Sequence, residues 1–132
     1  MFTLDQQLEN DTFPVTELEL CTVRLMNNAH YPWLILVPQR PDVMELIDLN
    51  ADDQLMLWNE ITYVSAYLRT EFMPDKLNVA ALGNQVSQLH VHIIGRYTND
   101  MAWPQPVWGK EPYPYRDDVK TLMMERLEGL VL

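Results

Sequence analysis

Apolar positions recur at helical spacing after Asn50, where Leu57, Ile61, Val64, Leu68 and Phe72 fall on one face. Asn50 suits an N-cap, Asp52 and Asp53 stand in the first turn where the helix dipole favours them, and Pro74 ends the run. The pattern predicts a helix over 51–72 whose Met, Trp and Tyr side chains serve as core and rim rather than as a cofactor box. A second stripe, Val119, Leu122, Met123, Leu127 and Leu130, follows Asp117 and Asp118 and predicts a helix over about 116–129. Residues 3–9 read as a short helix.

Elsewhere the rhythm is that of strands. WLILVP (33–38) is an unbroken apolar run closed by Pro38 and Pro41, as in a buried central strand. ELELCTVRLM (17–26) alternates in part, and NNAHYP (27–32) breaks it with turn residues, so 19–38 should form an antiparallel pair. KLNVAAL (76–82) and QLHVHIIG (88–95) read as two more strands around the turn residues Gly83 and Asn84. Their connection is too short for a parallel crossover, which predicts an antiparallel hairpin. The stretch MAWPQPVWGKEPYPY (101–115), rich in Pro and aromatics, should be irregular yet packed. Strands, a long helix, strands and a final helix together predict an α+β fold with a mainly antiparallel sheet, in a single domain over 1–132.

Composition narrows what such a domain can do. A formal net charge of −10 with nine Lys and Arg speaks against duplex nucleic acid as a partner, because that binding neutralises many phosphates with basic side chains. Cys21 is the sole cysteine, which excludes an intramolecular disulfide and a cysteine-rich zinc site. The start MFTLDQQLENDTF lacks a basic n-region and an apolar run, and nowhere do eighteen apolar residues follow one another; the expectation is a cytoplasmic protein without a membrane span.

The chemistry concentrates in QLHVHII. In a strand, Leu89, Val91 and Ile93 would form one apolar face, while Gln88, His90 and His92 would share the other. Neighbours on that face sit roughly 7 Å apart at about 3.3 Å of rise per residue, so one phosphate-sized anion could touch two or three polar tips. The alternative is a half-exposed strand carrying two histidines without function. A metal is not expected, because the further ligands that a His-x-His pair needs are missing: Gly95, Arg96 and Tyr97 follow it, and His30 lies in a distant break. No cofactor is implied. A neutral imidazole whose other nitrogen is hydrogen-bonded can instead attack phosphorus and carry a covalent intermediate, with flanking donors on the phosphate oxygens.

The segment Gln88-Leu-His90-Val-His92-Ile-Ile resembles the motif of the histidine triad (HIT) family of nucleotide hydrolases and transferases, in which three histidines alternate with apolar residues. The apolar strand ending at Pro38, the long helix, the strand NVAAL, the turn Gly83-Asn84-Gln85-Val86-Ser87 and AWP at 102–104 also come in the family's order, so the resemblance spans about residues 17–108. It implies that His90 is the nucleophile and that His92 contacts the phosphate oxygens. It also implies that Asn84, where the family often has Gln, helps to hold the phosphate region, and that Gln85, often Ser or Thr, meets the leaving side. Asn27, with Asn28 beside it as the alternative, falls where the family holds the ribose. A homodimer is expected on the same ground.

Two departures from that pattern stand out. Gln88 replaces the first histidine of the triad, keeping a donor and an acceptor while removing a titratable group. Trp33 stands where some members have another histidine. Arg40 and Arg96 read as solvated surface arginines. The expected activity is hydrolysis of a nucleoside phosphoramidate or a dinucleoside polyphosphate through a nucleotidyl-histidine intermediate. The alternatives are transfer of the nucleotidyl group to phosphate or a sugar phosphate, and a nucleotide-binding module with little turnover.

Overall fold

The computed structural model describes residues 1–130. The chain runs α1 (Gln6–Asp11), β1 (Thr12–Glu17), β2 (Cys21–Met26), β3 (Trp33–Pro38), α2 (Ala51–Phe72), β4 (Lys76–Ala80), β5 (Val91–Arg96) and α3 (Asp117–Arg126), with short 3-10 turns at Leu46–Asp48 and Glu128–Leu130. Five strands form one sheet in the order β1-β2-β3-β5-β4, and every pairing is antiparallel. The fold is α+β, as the pattern predicts. No helix among the described residues is long and apolar enough to cross a membrane.

β3 occupies the centre, and this explains its unbroken apolar run. Its side chains alternate into two cores: Leu34 and Leu36 join Val23, Leu25, Val91 and Ile93 under α2, while Trp33, Ile35 and Val37 join Tyr31, Ile94 and Val107 on the opposite face. α2 presents Leu57, Ile61, Val64, Leu68 and Phe72 to the first core, all buried. The Asn50 side chain accepts from Asp53 N–H at 2.8 Å, capping α2 as its position predicts.

Several boundaries differ from expectation. The strand expected over 17–26 begins only at Cys21 as β2; Glu17 ends an unexpected strand, β1, and a tight turn joins the two, in which Leu18 N–H donates to the Cys21 carbonyl. Leu18 and Leu20 keep the apolar pattern running through that turn, and Glu60 of α2 holds it by accepting from the amides of Leu20 and Cys21 at 2.8 and 2.9 Å. A tertiary contact replaces the Gly or Pro that would have announced it. β1 tolerates Pro14 because it is an edge strand with a register shift between Pro14 and Thr16. The first helix covers Gln6–Asp11 rather than 3–9. The last covers Asp117–Arg126, and Leu122 of its expected inner stripe faces solvent while Leu127 and Leu130 are buried. β4 and β5 pair antiparallel, but β4 stops at Ala80 and β5 begins at Val91, so residues 81–90 form a long loop in place of a tight hairpin turn. Gly83 in that loop has φ 74°, a left-handed conformation that suits glycine.

Candidate functional site

The two histidines sit where β5 enters the sheet. Leu89 N–H donates to the Val43 carbonyl at 3.0 Å, and the Leu89 side chain packs with Val91 and Ile93 in the α2 core. His90 and His92 therefore emerge on the opposite face, each more than nine-tenths buried, with ring centroids 4.9 Å apart.

Their hydrogen bonds assign opposite roles to the two rings. His90 Nδ1 lies 2.7 Å from the carbonyl oxygen of Gln88. A carbonyl only accepts, so Nδ1 carries the proton, and in the neutral ring Nε2 keeps its lone pair. His92 Nδ1 lies 3.0 Å from the indole nitrogen of Trp33, which only donates. His92 Nδ1 thus accepts, and its proton rests on Nε2. Burial first, and then the neighbouring His90, depress the His92 imidazole to about 4. One ring offers a lone pair and the next offers a proton.

Both rings line a cleft of about 430 Å³. Trp33 and Trp108 wall one side, Asn84, Gln85 and Val86 come from the loop before β5, and α1 supplies Asp11 at the edge. Trp108 stands edge-on to Trp33 and to His92, at 5.9 and 5.1 Å between centroids. The segment that leads to it is braced by Arg96, which grips Asp100 with two bonds of 2.8 and 3.1 Å and donates to the Gln105 carbonyl at 2.8 Å. Asp100 in turn accepts from the amides of Tyr97, Ala102 and Trp103. Arg96 is 1 % exposed, so the expectation of a solvated arginine is corrected: its guanidinium is a buried brace. Arg40 instead pairs with Asp53 in the first turn of α2.

Of the residues singled out from the sequence, the cleft gathers His90, His92, Asn84 and Gln85. Gln88 is placed differently. Its side chain accepts from Asp5 N–H and donates to the Thr3 carbonyl, both at 2.8 Å, so it clamps the segment that leads into α1. The reason is that Gln88 lies three residues before β5 begins, outside the regular alternation that would place it beside His90. Its backbone carbonyl, not its amide, meets the histidine. Asn27 is also placed elsewhere: its side chain accepts from Tyr115 N–H at 2.8 Å, while that of buried Asn28 accepts from His30 N–H at 3.0 Å. Both stitch loops together. Asp11 and Trp108 escaped the sequence reading, since Asp11 closes a six-residue helix without periodicity and Trp108 lies in an irregular segment. Among the described residues no cluster of His, Cys, Asp and Glu could hold a metal.

The family model of the HIT domain matches residues 7–99, a span that contains the long helix, both site histidines and their loop. The chain belongs to the HIT family. A histidine triad protein from Bradyrhizobium japonicum is 44 % identical, with a TM-score of 0.96 over 99 % of this chain and 98 % of that one. One from Marinobacter aquaeolei VT8 is also 44 % identical, with a TM-score of 0.96 over 98 % of this chain and 96 % of its own. A hypothetical histidine triad nucleotide-binding protein from Sulfolobus tokodaii shares the fold at 18 % identity, with a TM-score of 0.68 over 94 % and 86 % of the two chains. No curated protein matches. In this chain the Gln88 side chain turns toward the N-terminal segment and an indole is held against His92.

Proposed function

We propose that this HIT protein hydrolyses a nucleoside phosphoramidate or a dinucleoside polyphosphate through a nucleotidyl intermediate on His90. The observation that carries the reading is the 2.7 Å bond from His90 Nδ1–H to the Gln88 carbonyl, which leaves Nε2 as a buried lone pair in a cleft of nucleotide size. In this reading Nε2 bonds to the α-phosphorus while the bond to the leaving group breaks, and the leaving group takes up a proton from solvent water. The imidazole becomes positive and the Gln88 carbonyl stabilises it. Water then attacks phosphorus, Nε2 departs with its electron pair, and a nucleoside monophosphate is released. Asn84 and the Nε2–H of His92 serve the phosphoryl oxygens, Gln85 serves the leaving side, and Asp11 serves the ribose edge in place of Asn27.

Charge favours the phosphoramidate. Apart from the histidines, Asp11 is the one ionisable side chain among the cleft's described lining residues, so a ligand with a single negative charge fits better than a polyphosphate. Incubation with adenosine 5′-phosphoramidate in ¹⁸O-water, stopped in alkaline denaturant, tests the reading. The expected result is an adenylyl adduct on the peptide carrying His90 and one labelled oxygen in the product. Turnover with the adduct on another residue overturns the mechanism. Transfer of the adenylyl group to added phosphate favours the transferase, and tight binding without adduct or turnover favours the binding module.

The expected homodimer has a matching surface. β4 is an edge strand, and beside it a groove of about 340 Å³ is lined by Leu46, Leu57, Trp58, Ile61, Val79 and Val91. Trp58 and Val79 are exposed. A second copy seated there would pair the open edge and cover the apolar groove. Light scattering at micromolar concentration should give twice the chain mass, and Trp58→Glu should reduce it to one; a monomeric wild type refutes the dimer.

A further inference from the structure

Trp33 sits on β3 diagonally across from His92, since its own partner on β5 is Ile94 and that of His92 is Ile35. The indole is 5 % exposed and fixed edge-on by Tyr31 at 6.3 Å and Trp108 at 5.9 Å, so its Nε1–H has one direction in which to donate. That direction is His92 Nδ1. We propose that Trp33 is a positioning residue that fixes His92 as the uncharged Nε2–H tautomer, so that the group meeting the phosphoryl oxygens is a neutral donor throughout the pH range in which the site works. The catalytic meaning rests on the hydrolase reading above; the tautomer does not.

Protonating His92 would require a hydrogen on Nδ1, opposite the indole N–H at 3.0 Å, in a place that is 4 % exposed. Two donors would face each other with no acceptor between them. Nothing nearby repays that. β3 offers His92 the side chains of Trp33 and Ile35, β4 pairs it with Ala80, and the segment after β5 places Trp108 against it. The titratable neighbour is His90, which would repel a second positive ring, and Asp11 of α1 lines the rim of the same cleft. The depression of His92 by burial and by His90 agrees with this geometry.

The arrangement suits a nucleophile that becomes positive. As His90 takes on the nucleotidyl group, an imidazolium at 4.9 Å would oppose the new charge, whereas a neutral ring donates a hydrogen bond without that repulsion.

The test is long-range ¹H–¹⁵N NMR of the intact protein labelled at its three histidines, followed from pH 8 to 4.5. The expected spectrum shows His90 as the Nδ1–H tautomer and His92 as the Nε2–H tautomer, with His92 untitrated down to about pH 5. Trp33→Phe, which keeps an aromatic ring and removes the donor, should raise the His92 midpoint by at least one pH unit and add an ionisation to the acid side of the kcat profile. His92 carrying Nδ1–H at pH 7 in the wild type, titrating above pH 6, or keeping its midpoint in Trp33→Phe overturns the proposal. The wild-type spectrum decides even if the variant does not fold, and it needs no substrate, so failure of the hydrolase reading leaves it interpretable.

Discussion

Under α2, Leu57, Val64 and Leu68 meet Leu34, Leu36 and Ile93; across the sheet, Trp33 and Trp108 meet His90 and His92 around open space. Except for half-buried Trp108 both sets are buried, but different forces place them. On the helix side burial and dispersion act without direction, so each aliphatic side chain is held by many neighbours. On the cleft side single hydrogen bonds decide which nitrogen holds a proton. Damage to the first face should therefore appear as lost stability, and damage to the second as lost chemistry.

The strongest way to break that contrast is His90→Ala. Turnover should fall by about three orders of magnitude or more while nucleotide binding and melting temperature stay close to wild type. Undiminished activity would remove His90 from the mechanism. Leu68→Ala should do the reverse, costing about 2–5 kcal/mol in urea unfolding because the fully buried side chain leaves a cavity, with the histidine tautomers unchanged in the folded fraction.

A buried neutral histidine belongs to both worlds, and pH exposes it. Below about pH 6.5 the unfolded chain accepts a proton on His92 that the folded chain refuses until about 4, so its contribution makes stability fall as pH drops through that window, by up to about 3 kcal/mol. Trp33→Phe should flatten this slope, and equal slopes in the two proteins would contradict the assignment. Asp100 adds a second window. Burial raises its carboxyl, but the Arg96 bonds and the amides of Tyr97 and Trp103 outweigh that and hold it at about 2, so the stability it contributes is lost as pH falls from about 4 toward 2. Asp100→Asn should remove that acid limb.

The smallest effect is expected at Gln88. Gln88→Ala removes two hydrogen bonds to the N-terminal segment, worth about 1 kcal/mol each at most in a partly exposed setting. Hydrogen exchange should rise in α1 and KM should rise with it, because α1 carries Asp11, whereas kcat should change little. An unchanged KM would separate α1 from substrate binding.

The same contrast explains what could be read from the sequence. α2 and β3 match their expected limits end for end, because Asn50, Pro74 and Pro38 punctuate them and their periodicity reflects burial. The turn between β1 and β2 could not be read, since Glu60 secures it from forty residues away. In the site, alternation correctly set His90 and His92 against Leu89, Val91 and Ile93. It could not show that Gln88 precedes the strand, nor that Asn27 is occupied by Tyr115. Parity follows from local sequence; partners follow from the fold.

Trp33 and Trp108 also make the cleft visible. Two of the four tryptophans line it, while Trp58 lies exposed on α2 and Trp103 lies under the guanidinium of Arg96. An indole that donates to an uncharged imidazole escapes the strong quenching that an imidazolium would bring, so Trp33 should emit throughout the working pH range. A purine entering beside these rings would change their emission directly, turning occupancy of the site into an optical signal carried by the native chain without any added dye.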